Sequence, residues 1–392
     1  MKVPSMHPFP ARMAPEIALN SLVDLRQEDG RVADCCVLDP MCGSGTAVSA
    51  AASLGCHAIG RDIDPLAVLI SKVATTHITD CDFVLKSAES IVSRAEKYSN
   101  SAPIWDDDET LRFVSYWFGE RQRAQLASLS RQLSSFEEGP TRDVLYLALS
   151  RIIDTKTPKA SLASDTSHSR PHKTINKSDY DVYSGFIKAV RQLIRRLEKN
   201  PNTGCADVKI GDARELDLDD SSVDLIITSP PYLNAIDYMR GHKLSLVWMG
   251  YTIPELRHIR SESIGANRKP TEEVDSYVGK MIEYVQNAAI DCEALPKGVI
   301  ARYAQDLLLT SLEMHRVLKR GSKAVLVVGN STIRGNYIEN DVLTRMSCEQ
   351  AGFSIVDRIE REIPESSRYL PLKGDSLGKR MRAEVVLTVE KG

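Results

Sequence analysis

Short apolar stretches alternate with helical segments at the start of the chain. Residues 35–38 and 57–60 are apolar runs that lead into aspartates, and residues 44–54 and 65–74 have helical character. Pro65 falls in the first turn of the second helix, where its missing N–H costs nothing. This order of strand, glycine-rich turn, helix, strand and helix predicts a parallel sheet with right-handed crossovers.

The middle of the chain has a different pattern. Between residues 81 and 200 no segment reads as a convincing strand, and apolar residues recur at helical spacing in 110–133, 141–153 and 179–198. Residues 156–177 are rich in Ser, Thr, Lys and His, which predicts an exposed loop. We therefore expect a helical insertion in an α/β sheet.

Strand character returns at residues 206–210 and 223–228. Residues 233–300 are mostly polar and helical, which predicts a second insertion. The remaining predicted elements are a helix at 307–318, a strand at 324–328, a helix at 341–351 with Gly352 at its C-cap, and an antiparallel strand pair at 353–359 and 384–389.

The composition of the chain excludes several classes of protein. The chain has 392 residues, of which 42% are hydrophobic and 26% charged, so disorder, collagen and coiled coil are excluded for the whole chain. A net charge of −3 restricts any nucleic-acid surface to a local patch. No apolar run is long enough for a membrane span, and the N-terminus lacks a signal-peptide core. The eight cysteines show no zinc spacing, so we expect reduced thiols, no metal and a cytoplasmic location.

The first candidate site is the sequence VLDPMCGSGT at residues 37–46. Asp39 ends the predicted strand, and two glycines then let the backbone approach a ligand before the helix begins. Val48 stands where a dinucleotide fingerprint has its third glycine. An acid before the loop would repel phosphate, but it suits a positively charged ligand such as a sulfonium or an α-amino group. An ordinary strand–helix turn is the alternative interpretation.

Two further acids follow predicted strands. Asp62 lies about 20 residues after the glycine loop, where an acid can hold a ribose diol. Asp64 precedes Pro65 and suits a helix N-cap better. Asp212 could accept a hydrogen bond from an adenine amino group, although an acid there is also common in turns.

The second candidate site is the sequence TSPPY at the end of the predicted strand 223–228. Its two prolines fix φ and remove two N–H donors, which leaves rigid carbonyls at the carboxyl edge of the sheet, where α/β sheets bind ligands. The Ser229 hydroxyl and the Pro230 carbonyl can accept hydrogen bonds from an NH₂ group, and Tyr232 offers a face to a planar base. A proline-rich turn without function is the alternative.

DPMCGSGT followed by TSPPY resembles the S-adenosylmethionine-dependent DNA methyltransferases that modify exocyclic amino groups. The serine of SPPY resembles the N4-cytosine members, since adenine enzymes more often have Asp or Asn there. Residues 7–16 look like the family segment that closes over the methionine moiety, and weaker similarity extends to 238–250, 368–371 and 379–384. The resemblance implies a Rossmann-like class I methyltransferase sheet, mostly parallel and seven-stranded, with helical insertions.

The resemblance also implies roles for individual residues. Asp39 and the backbone of residues 41–45 would hold the amino acid part of S-adenosyl-L-methionine, Asp62 the ribose and Asp212 the adenine N6. The full set implied for the cofactor is Phe9, Pro10, Asp39, Pro40, Met41, Gly43, Gly45, Thr46, Asp62, Ile63, Asp212 and Ala213. The set implied for the target base is Ser229, Pro230, Pro231 and Tyr232. Cytosine C5 chemistry is disfavoured because the chain lacks a Pro-Cys dipeptide.

The family's usual recognition domain has no clear counterpart in this chain. We expect a catalytic domain from 1–80 and 201–392, with DNA recognition by the insertion 81–200, by the insertion 233–300, or by a partner. Candidate DNA contacts are Arg170, His172 and Lys173 in the polar loop, and Lys188, Arg191 and Arg195 on one helix face. Such a face can also be merely solvated.

The resemblance implies DNA as the partner and leaves open a cognate restriction endonuclease, a separate recognition partner and the oligomeric state. Three alternatives to N4-cytosine methylation remain: N6-adenine methylation, amino methylation of RNA or of a protein amide, and a non-catalytic nucleic-acid-binding subunit of a modification complex.

Overall fold

The computed structural model describes residues 5–10, 12–29, 35–98, 104–199, 204–233, 237–266, 276–363 and 383–392. The strands are β1 Cys36–Asp39, β2 His57–Asp62, β3 Ala163–Ser164, β4 His172–Lys173, β5 Ala206–Ile210, β6 Val223–Thr228, β7 Leu318–Gly329, β8 Ser331–Ile333, β9 Asn336–Ile338, β10 Phe353–Glu362 and β11 Ala383–Lys391.

The helices are α1 Pro15–Asp29, α2 Thr46–Ser53, α3 Pro65–Thr75, α4 Cys81–Lys97, α5 Asp108–Trp117, α6 Glu120–Ser134, α7 Pro140–Ile153, α8 Val182–Leu197, α9 Met239–Leu246, α10 Ile253–Glu262, α11 Ser276–Ala288, α12 Lys297–Val317 and α13 Asn340–Ala351. Two short 3₁₀ helices span Thr166–His168 and Val247–Met249. Within the described ranges, no helix has the length and apolar character needed to cross a membrane.

Seven strands form the central sheet in the order β10-β11-β7-β6-β1-β2-β5. The five strands from β7 to β5 pair in parallel, whereas β11 runs antiparallel to both β7 and β10. This arrangement confirms the predicted Rossmann-like class I methyltransferase sheet and the antiparallel pair at its end. The strand order reverses between β1 and β6, and such a switch point opens a ligand crevice at the carboxyl ends of the strands.

The burial of each strand follows its place in the sheet. The central strand β6 is almost continuously buried, as expected where helices cover both faces of parallel strands. In β11 buried positions alternate with half-buried ones. The edge strand β10 is mostly exposed and carries charged side chains, which discourage pairing with another chain.

The helices of residues 81–200 and 237–300 pack in two apolar cores. The helices α4–α8 share one apolar core with α3, α9 and α10, which includes Leu147, Phe186 and Trp248. The helices α11 and α12 pack instead with β8, β9 and α13 around Met281 and Tyr303. Helices α9 and α10 therefore pack against the helices of residues 81–200, whereas α11 packs in the other core.

Three details of the middle region differ from the sequence predictions. The segment 156–177 is not an exposed loop, because Ala160, Leu162 and Ala163 are buried and β3 pairs with β4. The continuous helical pattern at 110–133 is broken at Phe118–Gly119, where Phe118 turns into the core in extended conformation. The helix α4 was not predicted at all.

Arg61 at the end of β2 links this strand to β5 and to Asp217. Its guanidinium is 1% exposed and donates to Asp217 Oδ1 at 2.7 Å, to Asp207 Oδ2 at 2.9 Å and to two backbone carbonyls. Because Asp217 reaches solvent, we expect Arg61→Met to lower the free energy of unfolding by about 2 kcal/mol rather than more. Urea unfolding measures this change.

The matched control is Arg345→Ala, which removes an exposed ion pair with Glu349 within one helix. It should change the free energy of unfolding by at most about 0.5 kcal/mol. Equal losses in the two variants would contradict the structural role assigned to Arg61.

Candidate active site

Asp39 ends β1 and is buried at the centre of the carboxyl edge. Its Oδ1 accepts hydrogen bonds from the Met41 amide at 3.2 Å and from Thr228 Oγ1 at 2.7 Å. Burial raises the pKa of Asp39 to about 7, and the bonds from Thr228 and Met41 only partly offset this effect. The neighbouring charge that acts on it is the carboxylate of Asp62, which raises the pKa further. A positively charged ligand would therefore suit this position.

The glycine loop passes between β1 and α2 with two residues at positive φ, Gly43 at 48° and Gly45 at 76°. A Cβ at Gly45 would lie 2.5 Å from Ser71 Oγ and 2.9 Å from Ser71 Cα, so α3 leaves no room for a side chain there. A Cβ at Gly43 would meet the Phe9 ring at 3.4 Å. The loop is thus held between α3 and the N-terminal segment.

Asp62 ends β2 and ties the loop to the next turn. Its Oδ2 accepts a hydrogen bond from the Gly43 amide at 2.8 Å, and its Oδ1 accepts one from the Asp64 amide at 2.9 Å. Burial and then the Asp64 carboxylate raise the pKa of Asp62 to about 6. The prediction that Asp64 caps α3 is confirmed, since its Oδ1 accepts from the Leu66 amide.

Sequence reasoning missed His242, which is buried on α9. Its Nδ1 lies 2.6 Å from Asp64 Oδ2. Burial opposes the charged imidazolium, but Asp64 outweighs it and raises the pKa of His242 above its ordinary value. The pair joins α9 to the end of β2. A single histidine on a mixed helix carries no signal in the sequence that could have revealed this partner.

The N-terminal segment lies against the glycine loop. The Phe9 ring stacks on Tyr238 with centroids 4.8 Å apart and lies 5.6 Å from His242. His7 is buried, and its Nε2 lies 2.8 Å from the Ser150 hydroxyl on α7. Burial, and then the charge of Arg151, lower the pKa of His7 to about 3, so it anchors the segment as a neutral ring.

The Ser229–Tyr232 segment follows β6 directly beside Asp39. The Ser229 hydroxyl donates to the Val327 carbonyl of β7 at 2.9 Å. Tyr232 is half-buried and packs against the sheet core, so part of its ring is already covered. Burial raises the pKa of Tyr232 to about 12 despite hydrogen bonds involving Ser229 and the Gly329 backbone.

Asp212 lies at the end of β5 and is engaged by an arginine that sequence reasoning did not single out. The Arg214 Nη2 donates to Asp212 Oδ2 at 2.6 Å, and its Nη1 donates to Asp306 at 2.7 Å. Burial opposes ionisation of Asp212, but Arg214 lowers its pKa below the ordinary value. A role for Asp212 toward an adenine remains a prediction.

The proposed nucleic-acid contacts lie in two places. The segment with Arg170, His172 and Lys173 reaches the start of α9, where Ser169 Oγ donates to the Tyr238 carbonyl at 3.1 Å. The exposed face of α8 carries Lys188, Arg191 and Arg195. Arg191 pairs there with Glu89 of α4.

The C-terminal similarities at 368–371 and 379–382 lie outside the described residues.

The sheet order and the acidic ends of β1 and β2 define a Rossmann-like class I methyltransferase fold. Among curated proteins, the chain is similar to the Type II methyltransferase M.BsoBI of Geobacillus stearothermophilus. The two are 23% identical over an alignment of 374 residues, which covers 81% of this chain and 72% of the relative. It is also similar to the Type II methyltransferase M.MvaI of Kocuria varians, with 21% identity over 419 residues, 98% of this chain and 88% of the relative.

No protein-family model matches the chain. Among solved structures it is similar to TTHA0409 of Thermus thermophilus complexed with S-adenosyl-L-methionine, at 19% identity and a TM-score of 0.25, covering 46% of this chain and 54% of that one. The matched region thus spans about half the length of that structure.

The pKa of Asp39 leads to a prediction about stability. A carboxyl whose folded-state pKa is raised from about 3.9 to about 7 contributes stability that is complete below the unfolded value and is lost as the pH rises through the folded one. Relative to Asp39→Asn, which can still accept both hydrogen bonds, the native protein should lose about 2 kcal/mol between about pH 5 and 7.5.

Urea unfolding across this pH range measures the difference. The exposed residue Asp24 on α1 offers a control, because Asp24→Asn should follow the native curve. Parallel curves for the native protein and Asp39→Asn would show that burial does not perturb Asp39 as the structure indicates.

Proposed function

We propose that this protein transfers a methyl group from S-adenosyl-L-methionine to the exocyclic amino group of a flipped base in DNA, with cytosine N4 as the target. The observation that carries the proposal is the 2.7 Å hydrogen bond from Thr228 to Asp39. It joins the loop suited to a cationic cofactor to the segment suited to an NH₂-bearing base. Similarity to Type II methyltransferases along 98% of the chain, in the case of M.MvaI, supports the same reaction.

The described residues fit the proposed cofactor. Asp39 and Asp62 are carboxylates at one edge of the sheet whose pKa values are raised by burial, and a sulfonium with an α-amino group would supply the missing positive charge. The half-buried Asp62 and Ile63 would face its nucleoside, and Phe9 would cover its methionine part. When bound, the cofactor supplies an electrophilic methyl group.

Each residue of the base site has a task set by its geometry. The target base must leave the stack, because its amino group cannot be reached inside the duplex. Pro230 and Pro231 hold the backbone rigid. Ser229, whose hydroxyl donates a hydrogen bond to the Val327 carbonyl, can accept a hydrogen bond from the amino group and so orient the nitrogen lone pair. Tyr232 would stack on the base, at about 1–3 kcal/mol for such a contact.

Mass spectrometry of nucleosides tests the reaction and the base together. DNA incubated with the purified protein and S-adenosyl-L-methionine should yield N4-methylcytosine. N6-methyladenine would preserve the chemistry but contradict the cytosine assignment from Ser229. Methylation of RNA alone would contradict DNA as the substrate. Cofactor binding without methylation of either polymer would contradict the proposal for this chain acting alone.

Substitutions at the two halves of the site should separate binding from turnover. Ser229→Ala and Tyr232→Ala should lower turnover at least tenfold, estimated at about 1.4 kcal/mol or more, because each removes a contact with the reacting base. Calorimetry should show little change in their cofactor affinity. Retained turnover in both variants would remove this segment from the active site.

Asp62→Asn should show the opposite behaviour. The loss of a charge-assisted hydrogen bond to the ribose, about 1.5–3 kcal/mol, should weaken cofactor binding by roughly ten- to a hundredfold. Calorimetric titration measures this change, with Asp24→Asn as the control. An unchanged affinity would exclude Asp62 as a cofactor ligand.

A further inference from the structure

A cluster of basic side chains that sequence reasoning did not select covers the outer faces of α9 and α10. Its members are Arg240 and Lys243 on α9 and Arg257 and Arg260 on α10, and we call them the α9–α10 basic surface. The three arginine side chains are 62%, 60% and 52% exposed in the order 240, 257 and 260. Both pairs have a spacing of three residues, which places each pair on one helix face.

The position of this surface is set by the opposite face of α9. On that face His242 contacts Asp64, while Tyr238, just before the helix, stacks on Phe9 over the glycine loop. Because an α-helix with its side chains is about 10–12 Å across, the outward residues of α9 lie at the rim of the candidate active site. The helix begins seven residues after Tyr232 in the chain.

The ion pairs do not neutralise the cluster. Arg240 and Arg260 share one carboxylate, Asp237, and Arg257 pairs with Glu109. The four cations therefore have two carboxylate partners among these contacts. Burial lowers the pKa of Lys243, and the charges of Arg260, Arg240 and Arg257 lower it further while Asp237 opposes them. An anion bound here would relieve this repulsion.

Aromatic side chains extend the basic surface onto α5. The Lys243 ammonium lies 5.2 Å from the centroid of Phe113, and the Lys173 ammonium lies 5.1 Å from that of Tyr116. Tyr116 is 54% exposed and packs edge-on against Trp117. Interleaved cations and exposed aromatic rings are typical of nucleic-acid surfaces, where the rings contact sugars and bases and the cations contact phosphates.

We propose that the α9–α10 basic surface binds the phosphates of the DNA that flanks the target base, and that the basic face of α8 does not. This inference rests on the proposed function, because it assumes that DNA enters the cleft beside Tyr232. The helix α8 packs on α4, α6 and α7, and among the described residues no major contact joins it to α9. Phosphate contacts from α9 would fix the register of the duplex while the cleft receives the flipped base.

Two matched variants test the proposal. One carries Arg240→Gln, Arg257→Gln and Arg260→Gln, and the other carries Lys188→Gln, Arg191→Gln and Arg195→Gln on α8. Fluorescence anisotropy with a mixed-sequence duplex, titrated from about 50 to 200 mM salt, gives the slope of log K against log salt. Calorimetric cofactor binding and thermal unfolding check that both variants remain folded.

The α9–α10 variant should reduce the magnitude of the salt slope by about two to three, close to one per lost phosphate contact, and should bind DNA at least about tenfold more weakly at low salt. The α8 variant should keep the native slope and affinity. A native slope in the α9–α10 variant, or a reduced slope only in the α8 variant, would overturn the inference.

Measurements of DNA binding and methylation by the native protein distinguish a failure of this inference from a failure of the proposed function. If the native protein methylates DNA and the α9–α10 variant retains its salt slope, only the inference about the surface fails. If the native protein neither binds nor methylates DNA while the cofactor binds, the proposed function fails, and the inference fails with it.

Discussion

The carboxylate of Asp62 is the contact on which the geometry of this site depends. Its two oxygens accept the amide protons of Gly43 and Asp64, so one side chain holds both the loop after β1 and the turn after β2. Asp64 then caps α3 and binds His242 of α9. The cofactor side of the cleft and the helix that follows the Ser-Pro-Pro-Tyr segment are thereby linked through a few buried polar contacts.

This arrangement concentrates negative charge at the edge of the sheet where the strand order reverses. Burial raises the pKa of Asp39 and of Asp62, so both groups are costly to ionise without a positive partner. Asp64 has a neighbouring group of this kind, since the Nδ1 of His242 lies 2.6 Å from its carboxylate and supplies a positive charge when the ring is protonated. A preference for a cationic small molecule inside the cleft is thus compatible with a basic surface outside it, since α9 presents His242 inward and Arg240 and Lys243 outward.

The parts of the fold that could be predicted were those with local patterns. The strands at 206–210 and 223–228 match β5 and β6. The central strand β6 is buried and is a nearly continuous apolar run, as expected for a covered parallel strand. The edge strand β5 is mostly exposed, and its apolar residues alternate with Asp207 and Lys209. The break between α5 and α6 was not visible, since helical spacing continues through Phe118 and Gly119. The polar segment 156–177 was predicted to be exposed, yet its few apolar residues pack into the helical core.

From the sequence alone, the residue types and their order determined the α/β class, the two motifs and the acids that end β1 and β2, because each depends on neighbours within a few residues. Only the tertiary structure decided that Thr228 donates a hydrogen bond to Asp39, that His242 lies against Asp64, that Arg214 engages Asp212, and that the outer face of α9 borders the cleft. These contacts join segments far apart in the chain, such as the 189 residues that separate Asp39 from Thr228. No local pattern records such partners, since chain folding and burial select them.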